Sequence, residues 1–259
     1  MMSETIIPAI VYSLFTGVWQ AALVWLLFQL VQFRFPLAAK NTYWLLLTII
    51  CVLFVAGVAN FFYFLHYPIP PTLYSIIVLL YCLGCLYHGF RLVTSFYHLS
   101  FLAKHQLPLP AAALSMVQEL QSKHPSLRKV SLAAAADVNS PLTFGWIKPL
   151  ILFPVAALNR LSMEEMQSII LHEMAHIRRN DFLHECLIST IEIGMFYNPF
   201  ARLLMNQLRE EREKACDDEV IESGIPVYAY AKALLVFAQK DFGKQSVPAM
   251  AFSGNQPKL

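Results

Sequence analysis

Two histidines four positions apart, His172 and His176, enclose Glu173 in the string HEMAH. On an α-helix, positions i and i+4 share one face one turn apart, so both imidazoles can grip one zinc ion. Glu173 then points toward the open coordination position, where a carboxylate can take a proton from zinc-bound water. This is the hydrolytic chemistry of a zinc peptidase. The bland alternative is a helix that carries two histidines and a glutamate without a metal, and the flanking sequence weighs against it.

The flanks have helix chemistry. Ser162 and Glu165 form S-x-x-E, a capping-box pattern that opens a helix near Leu161. Met166, Ile169, Ile170, Met174 and Ile177 supply an apolar stripe at helical spacing. Arg178 and Arg179 sit near the helix C-terminus, where positive charge suits the dipole.

A zinc site with an open position needs a third protein ligand. Downstream, Asn198 can cap a second helix and Pro199 fits its first turn. That helix runs through RLLMNQLREEREKACDDEVIES and stops at Gly224. Glu213 and Asp217 are four apart on one face. We expect Glu213 as the third ligand and Asp217 as the carboxylate that orients a ligand histidine. Glu210 lies on nearly the same face and is the rival ligand, while Glu211, Glu219 and Glu222 read as a solvated helix surface.

The elements around this motif are set by composition. The chain is 57% hydrophobic and only 14% charged, with a mean hydropathy of +0.52, values that fit a membrane protein better than a soluble one. A formal charge of +2 is too small to suggest a nucleic-acid partner, and direct nucleic-acid binding is not expected. Residues 9–33, 41–65 and 72–90 are uncharged runs, and each is long enough to cross a hydrocarbon core, which needs about 20 residues. Trp44 and Tyr67 stand near span ends, where they suit the membrane interfaces. The first run is too long for a signal-peptide core, and no small-residue cleavage site follows it. We therefore expect three transmembrane helices in contact with membrane lipid. Arg34 and Lys40 bracket the first loop, the loop HYPIPP has no lysine or arginine, and Arg91 and Lys104 follow the third span. The positive-inside rule places the N-terminus outside and the HEMAH motif in the cytoplasm.

The five cysteines agree with a reduced compartment. Cys82 and Cys85 read C-x-x-C within a span, where small-residue packing is the expected role. Cys186 and Cys216 read as single thiols, and packing is the expected role of Cys216 beside Asp217.

After the third span the helix is expected to continue into the cytoplasm, and Pro108 and Pro110 mark the domain boundary. The expected organisation is a transmembrane region over 1–107 and a peptidase region over 108–259. Pro110 can open another helix, ending near His124. Residues 130–136 and 150–153 are short apolar runs around the turn-rich SPLTFGWIKP, which predicts a small β-hairpin or sheet. Thr143, Phe144, Gly145 and Trp146 are candidates for a strand edge that holds an extended peptide, with a purely structural hairpin as the alternative. FLHECLISTIEIGMFY is apolar but carries His184, Glu185 and Glu192. It reads as an amphipathic helix packed on the site or partly against the membrane surface. His184 is a surface or packing histidine that could also serve as a transition-state donor, and Tyr197, Tyr228 and Tyr230 are open candidates for an oxyanion donor.

Together, SPLTFGWIKPLILFP, LSMEEMQSIILHEMAHIRRND, FYNPF and EREKACDDEVI resemble, in order, the integral-membrane zinc peptidases of BlaR/MecR type, the beta-lactam-sensing antirepressor family. The resemblance implies one zinc ion on His172, His176 and Glu213, with Glu173 as general base. It supports Asp217 as a ligand-orienting carboxylate and suggests a supporting role for Asp181. It implies a mainly α protein: three membrane helices, then a cytoplasmic α+β gluzincin-like domain, in the cytoplasmic (inner) membrane of a bacterium. Family receptors continue into a fourth span and an extracellular sensor. This chain ends at Leu259, and the tail AFSGNQPKL resembles sequence leading toward that span, so the peptidase region is expected to be truncated before it, with a short member of the family as the alternative. No penicillin-type serine motif stands in these residues.

The leading expectation is a membrane-embedded zinc endopeptidase in signal transduction, cleaving itself or a transcriptional repressor by Glu173-assisted attack of zinc-bound water. The alternative enzyme is a quality-control or processing protease of the HtpX or Ste24 type, which also combines HExxH, a later E-x-x-x-D and several spans. SPLTFGWIKP and CDDEV favour the first. The non-enzymatic alternative is a membrane signalling scaffold, against which the intact Glu173 argues.

Overall fold

The computed structural model describes residues 2–66, 74–123, 130–158 and 160–238. Tyr67, most of HYPIPP, His124 and the tail AFSGNQPKL lie outside the described residues. Chain order is α1 (Met2–Arg34), α2 (Ala39–Leu65), α3 (Tyr74–Lys104), α4 (Ala111–Lys123), β1 (Ser131–Ala135), β2 (Leu142–Phe144), β3 (Leu150–Pro154), α5 (Val155–Leu158), α6 (Met163–Arg178), α7 (Asp181–Met195), α8 (Pro199–Glu222) and α9 (Val227–Ala238). The chain is mainly helical, with three long apolar N-terminal helices and one small sheet. It divides into two compact units, residues 1–92 with 188–212, and residues 93–187 with 213–259.

In the first unit, α1, α2 and α3 are each long and apolar enough to cross a membrane. Their outward faces carry large apolar side chains, with Phe15, Leu30, Val55, Leu80 and Leu86 all more than half exposed. Such surface is costly in water and free of cost against hydrocarbon. The buried side chains of this unit include Tyr43, Leu46 and Ile50 of α2 with Ile188, Leu204 and Met205 of α7 and α8. Glu211, expected on a solvated helix surface, is instead buried, as is its neighbour Arg212. The helix face they occupy turns inward because α8 buries a wider arc than its carboxylate-rich sequence suggested.

In the second unit the sheet has the order β1-β3-β2. β1 runs parallel to β3, with Ser131 opposite Leu150, and β2 runs antiparallel to it, with Thr143 opposite Ile151. The central strand β3 is buried along its whole length, which explains its unbroken apolar run. Leu107 bridges to Ala134 on the outer side of β1. Gly145, at φ +88°, opens the turn from β2 to β3, and a Cβ there would fall 2.8 Å from the Lys148 carbonyl oxygen. Only glycine fits that position without strain.

The core of this unit joins Ile151 and Phe153 of β3 to Met166, Ile170 and Met174 of α6, Val117 of α4 and Tyr230 of α9. The apolar stripe read from the sequence is therefore the buried face of α6. Burying each such side chain contributes about 1.5–3 kcal/mol. The expected capping box forms: Ser162 Oγ accepts from the Glu165 amide, and the Glu165 carboxylate accepts from the Ser162 amide. Lys232 of α9 adds an ion pair to Glu165 at 2.7 Å. Asn198 Oδ1 caps α8 through the amides of Phe200 and Ala201.

Candidate metal centre

The side chains that meet at this centre all belong to the second compact unit. The helical repeat of α6 brings His172 Nε2 within 3.2 Å of His176 Nε2. Glu213 Oε2 lies 3.6 Å from the first and 3.7 Å from the second. Among the described residues these three side chains form one of two groups of potential metal ligands, the other being His176, Asp181 and Cys216, and the rival Glu210 is in neither. Metal–ligand bonds of 2.0–2.2 Å in a tetrahedron put ligand atoms about 3.3–3.6 Å apart. The observed triangle is close to that size, and two nitrogens with a carboxylate oxygen are a donor set that suits zinc. The residues fit the ion that the motif implies.

The outer ring nitrogens are also held. His176 Nδ1 lies 2.8 Å from Asp181 Oδ2. Asn180, at φ +57°, reverses the chain after α6 and delivers Asp181 at the first position of α7; asparagine tolerates this left-handed conformation better than most residues. Burial would raise the Asp181 carboxyl, but hydrogen bonds from His176 and His184 and the Arg179 charge hold it well below the usual carboxylate range.

His172 Nδ1 lies 2.8 Å from the Tyr230 hydroxyl and 3.2 Å from Asp217 Oδ1. The Tyr230 hydroxyl donates its one proton to Asp217 at 2.5 Å. Its oxygen can then only accept, so His172 must carry a proton on Nδ1 and turn a bare or exchangeable Nε2 inward. Burial opposes protonation of His172, yet the Asp217 and Glu213 carboxylates outweigh it and push the imidazole up to about 10. Burial and the neighbouring Asp217 raise the Tyr230 phenol, which therefore stays neutral.

Glu173 is buried on the same helix. The Thr143 hydroxyl of β2 donates to Glu173 Oε2 at 2.5 Å. Of the four strand-edge candidates, Thr143 reaches the centre directly, Phe144 ends β2, Gly145 makes the turn and Trp146 is exposed beside it. β2 is an outer strand of the sheet, paired to β3 along one side.

Sequence reasoning gave two participants other roles. Cys216, read as a packing thiol, is fully buried with Sγ 3.4 Å from His176 Nδ1 and 3.8 Å from Asp181 Oδ2. Its position three residues after Glu213 on a helix was the available signal. Tyr230 sat among three equivalent tyrosines; Tyr228 is exposed and Tyr197 belongs to the first unit. His184 Nδ1 faces Asp181 Oδ1 at 3.9 Å. Glu219, expected to be a solvated residue, pairs with Arg178 and so ties α8 to α6 beside the centre.

A family model described as BlaR1 peptidase M56 matches residues 65–256. The chain is similar to the regulatory protein BlaR1 of Bacillus licheniformis, 32% identical over 96 residues, 37% of this chain and 16% of that protein. It is 25% identical to the regulatory protein BlaR1 of Staphylococcus aureus over 135 residues, 52% of this chain and 23% of that protein. It is 25% identical to the methicillin resistance mecR1 protein of Staphylococcus aureus over 103 residues, 39% of this chain and 18% of that protein. The matched stretches thus span less than a quarter of the length of these curated relatives.

Proposed function

The chain belongs to the BlaR1 peptidase M56 family, and from that premise we propose that it is a membrane-embedded zinc endopeptidase of transmembrane signalling. The observation that carries this reading is the triangle of His172, His176 and Glu213 with both outer ring nitrogens already held by Asp181, Asp217 and Tyr230. His172, His176 and Glu213 would hold the ion. Zinc, when bound there, supplies a Lewis acid that polarises a peptide carbonyl and makes water more acidic.

The rest of the work falls to the chain's own side chains. Glu173 takes one proton from the attacking water as the new carbon–oxygen bond forms. It then delivers that proton to the amide nitrogen as the carbon–nitrogen bond breaks. Thr143 fixes one carboxylate oxygen of Glu173 and so aims the other. The outer side of β2, the strand whose Thr143 reaches Glu173, offers main-chain groups to an extended substrate. Tyr230 and Asp217 keep His172 in the tautomer whose Nε2 faces inward. The domain is gluzincin-like in its ligand pattern, and the flanking arginines and lysines favour a cytoplasmic placement. The substrate we propose is the chain itself or a cytoplasmic transcriptional repressor.

The test is zinc content and cleavage by detergent-purified protein, wild type beside Glu173→Gln. Zinc in both forms with cleavage only by wild type is the expected result. Folded protein without zinc, or equal cleavage by both forms, would overturn the reading.

A further inference from the structure

Residues 188–212 depart from the second compact unit and pack among α1, α2 and α3. The turn of this segment is held by groups from those helices. Asn198 Nδ2 donates to the Gly17 carbonyl at 3.0 Å. The Tyr81 hydroxyl donates to the Gly194 carbonyl at 3.1 Å, and the Cys85 thiol to the Ile193 carbonyl at 3.4 Å. The Phe196 ring lies so close to Gly84 that a Cβ there would fall 2.1 Å from it, and a Cβ at Gly194 would fall 3.6 Å from Phe54.

Gly17, Phe54 and Gly84 each lie about 15 Å or more along the axis from either end of their helix. Three independent contacts therefore put one turn near the middle of three apolar spans. The turn's own polar groups are satisfied as well: the Asn198 amide donates to the Met195 carbonyl and Arg202 donates to the Phe196 carbonyl. Irregular backbone survives at membrane depth only where protein or a water-filled cavity satisfies it. A turn on a wet surface has no need of an acceptor borrowed from α1 and donors borrowed from α3.

The segment also returns the way it came. Gln29 Nε2 donates to Gln207 Oε1 at 3.1 Å, so α8 climbs along α1 from the level of Gly17 toward the Arg34 end. Its two flanks, Asp181 and Glu213, both contact His176. Glu192 and Arg209 neutralise each other at 3.0 Å.

The exposed faces differ in kind. Over residues 187–208, α7 exposes Leu187 and Thr190 and no charged or amide side chain, whereas α8 exposes Arg202 and Asn206 beside Pro199 and Leu203. Charged and amide groups at membrane depth face water or protein rather than lipid. We propose that residues 188–208 form a re-entrant helical hairpin, with the α7 face against lipid hydrocarbon and the α8 face lining a groove open to water.

The experiment places a nitroxide on a ketone-bearing amino acid at position 190 or 206 of the full chain, leaving the native cysteines in place. The protein is studied in phosphatidylglycerol and phosphatidylethanolamine vesicles, with dissolved oxygen and a water-soluble nickel chelate as collision partners. The expected result is preferential oxygen contact at 190 and preferential nickel contact at 206. Nickel contact at both positions would place the hairpin outside the bilayer, and oxygen contact at both would remove the wet face; either overturns the proposal. Positions 187 and 202 provide a second pair should either label disturb insertion. Zinc content of the labelled protein, whose expected ligands His172, His176 and Glu213 all lie outside residues 188–208, keeps this result separate from the peptidase reading.

Discussion

Thr143 and Glu173 come from different layers of the fold, yet the threonine hydroxyl stands 2.5 Å from the glutamate carboxylate. A strand residue thereby holds the side chain proposed to move the proton. A hydrogen bond to a charged group contributes about 1.5–3 kcal/mol. Thr143→Val should therefore lower kcat about 10- to 100-fold while leaving zinc content unchanged. Thr143→Ser should restore most of the rate. Parallel zinc analysis and peptide cleavage check this, and a valine variant with full activity would remove Thr143 from the mechanism.

Tyr230 shares a proton with Asp217 and faces His172. Groups that orient a ligand histidine are worth about 10- to 100-fold in metal affinity. Tyr230→Phe and Asp217→Asn should each weaken zinc binding by that order. Because both act through one nitrogen of His172, the double variant should lose less than the sum. Chelator competition at fixed pH measures all three, and strict additivity would argue for independent roles.

Glu213 and Glu210 are separated by one helical turn, and only Glu213 belongs to the ligand group. Glu213→Gln should abolish stoichiometric zinc, whereas Glu210→Gln should retain it. The reverse pattern in metal analysis would reassign the third ligand.

The Glu165–Lys232 pair gives a pH signature away from the metal. The Lys232 hydrogen bond, with the Ser162 amide, depresses the Glu165 carboxyl below its usual range. The same bond raises Lys232. A depressed acid contributes stability above its unfolded pKa of about 4.3, lost as pH falls through the lower folded value. A raised amine contributes below its unfolded pKa of about 10.4, lost as pH rises through the higher folded value. The wild-type advantage in Tm over Lys232→Met should thus be level from about pH 5 to 10 and shrink beyond both ends. An advantage that does not change with pH would show that the pair acts through packing alone.

Gly145 should resist substitution. Gly145→Ala puts a Cβ against the Lys148 carbonyl at a positive φ, a strain of about 1–2 kcal/mol. Lower Tm, together with weaker protection of β2 amides in hydrogen exchange, is the expected outcome.

Much of this arrangement is legible locally. The HEMAH spacing, the Ser162–Glu165 box, the Asn198 cap and the long apolar runs each specify their element through neighbours a few residues away. What could not be read is long-range. Nothing near Tyr230 says that it meets His172, and nothing near Thr143 says that its hydroxyl finds Glu173. Glu211 looked solvated because its own segment is rich in charge, and only the packing of α8 reveals that it is buried. The place of residues 188–212 was obscured for a similar reason: three ionisable groups in FLHECLISTIEIGMFY argue against a membrane span, while Glu192 is in fact paired with Arg209.

The left-handed Asn180 and the contacts around His176 have one more effect. Asp181 begins α7 and Glu213 lies on α8, so everything between them is a long loop whose ends are closed on a single imidazole. Closing such a loop costs chain entropy that rises only slowly with its length. An ion shared by His176 and Glu213 would supply that closure in the manner of a cross-link. Withdrawing it should loosen α7 and α8 along their length, so that one small site governs the rigidity of far more chain than it touches.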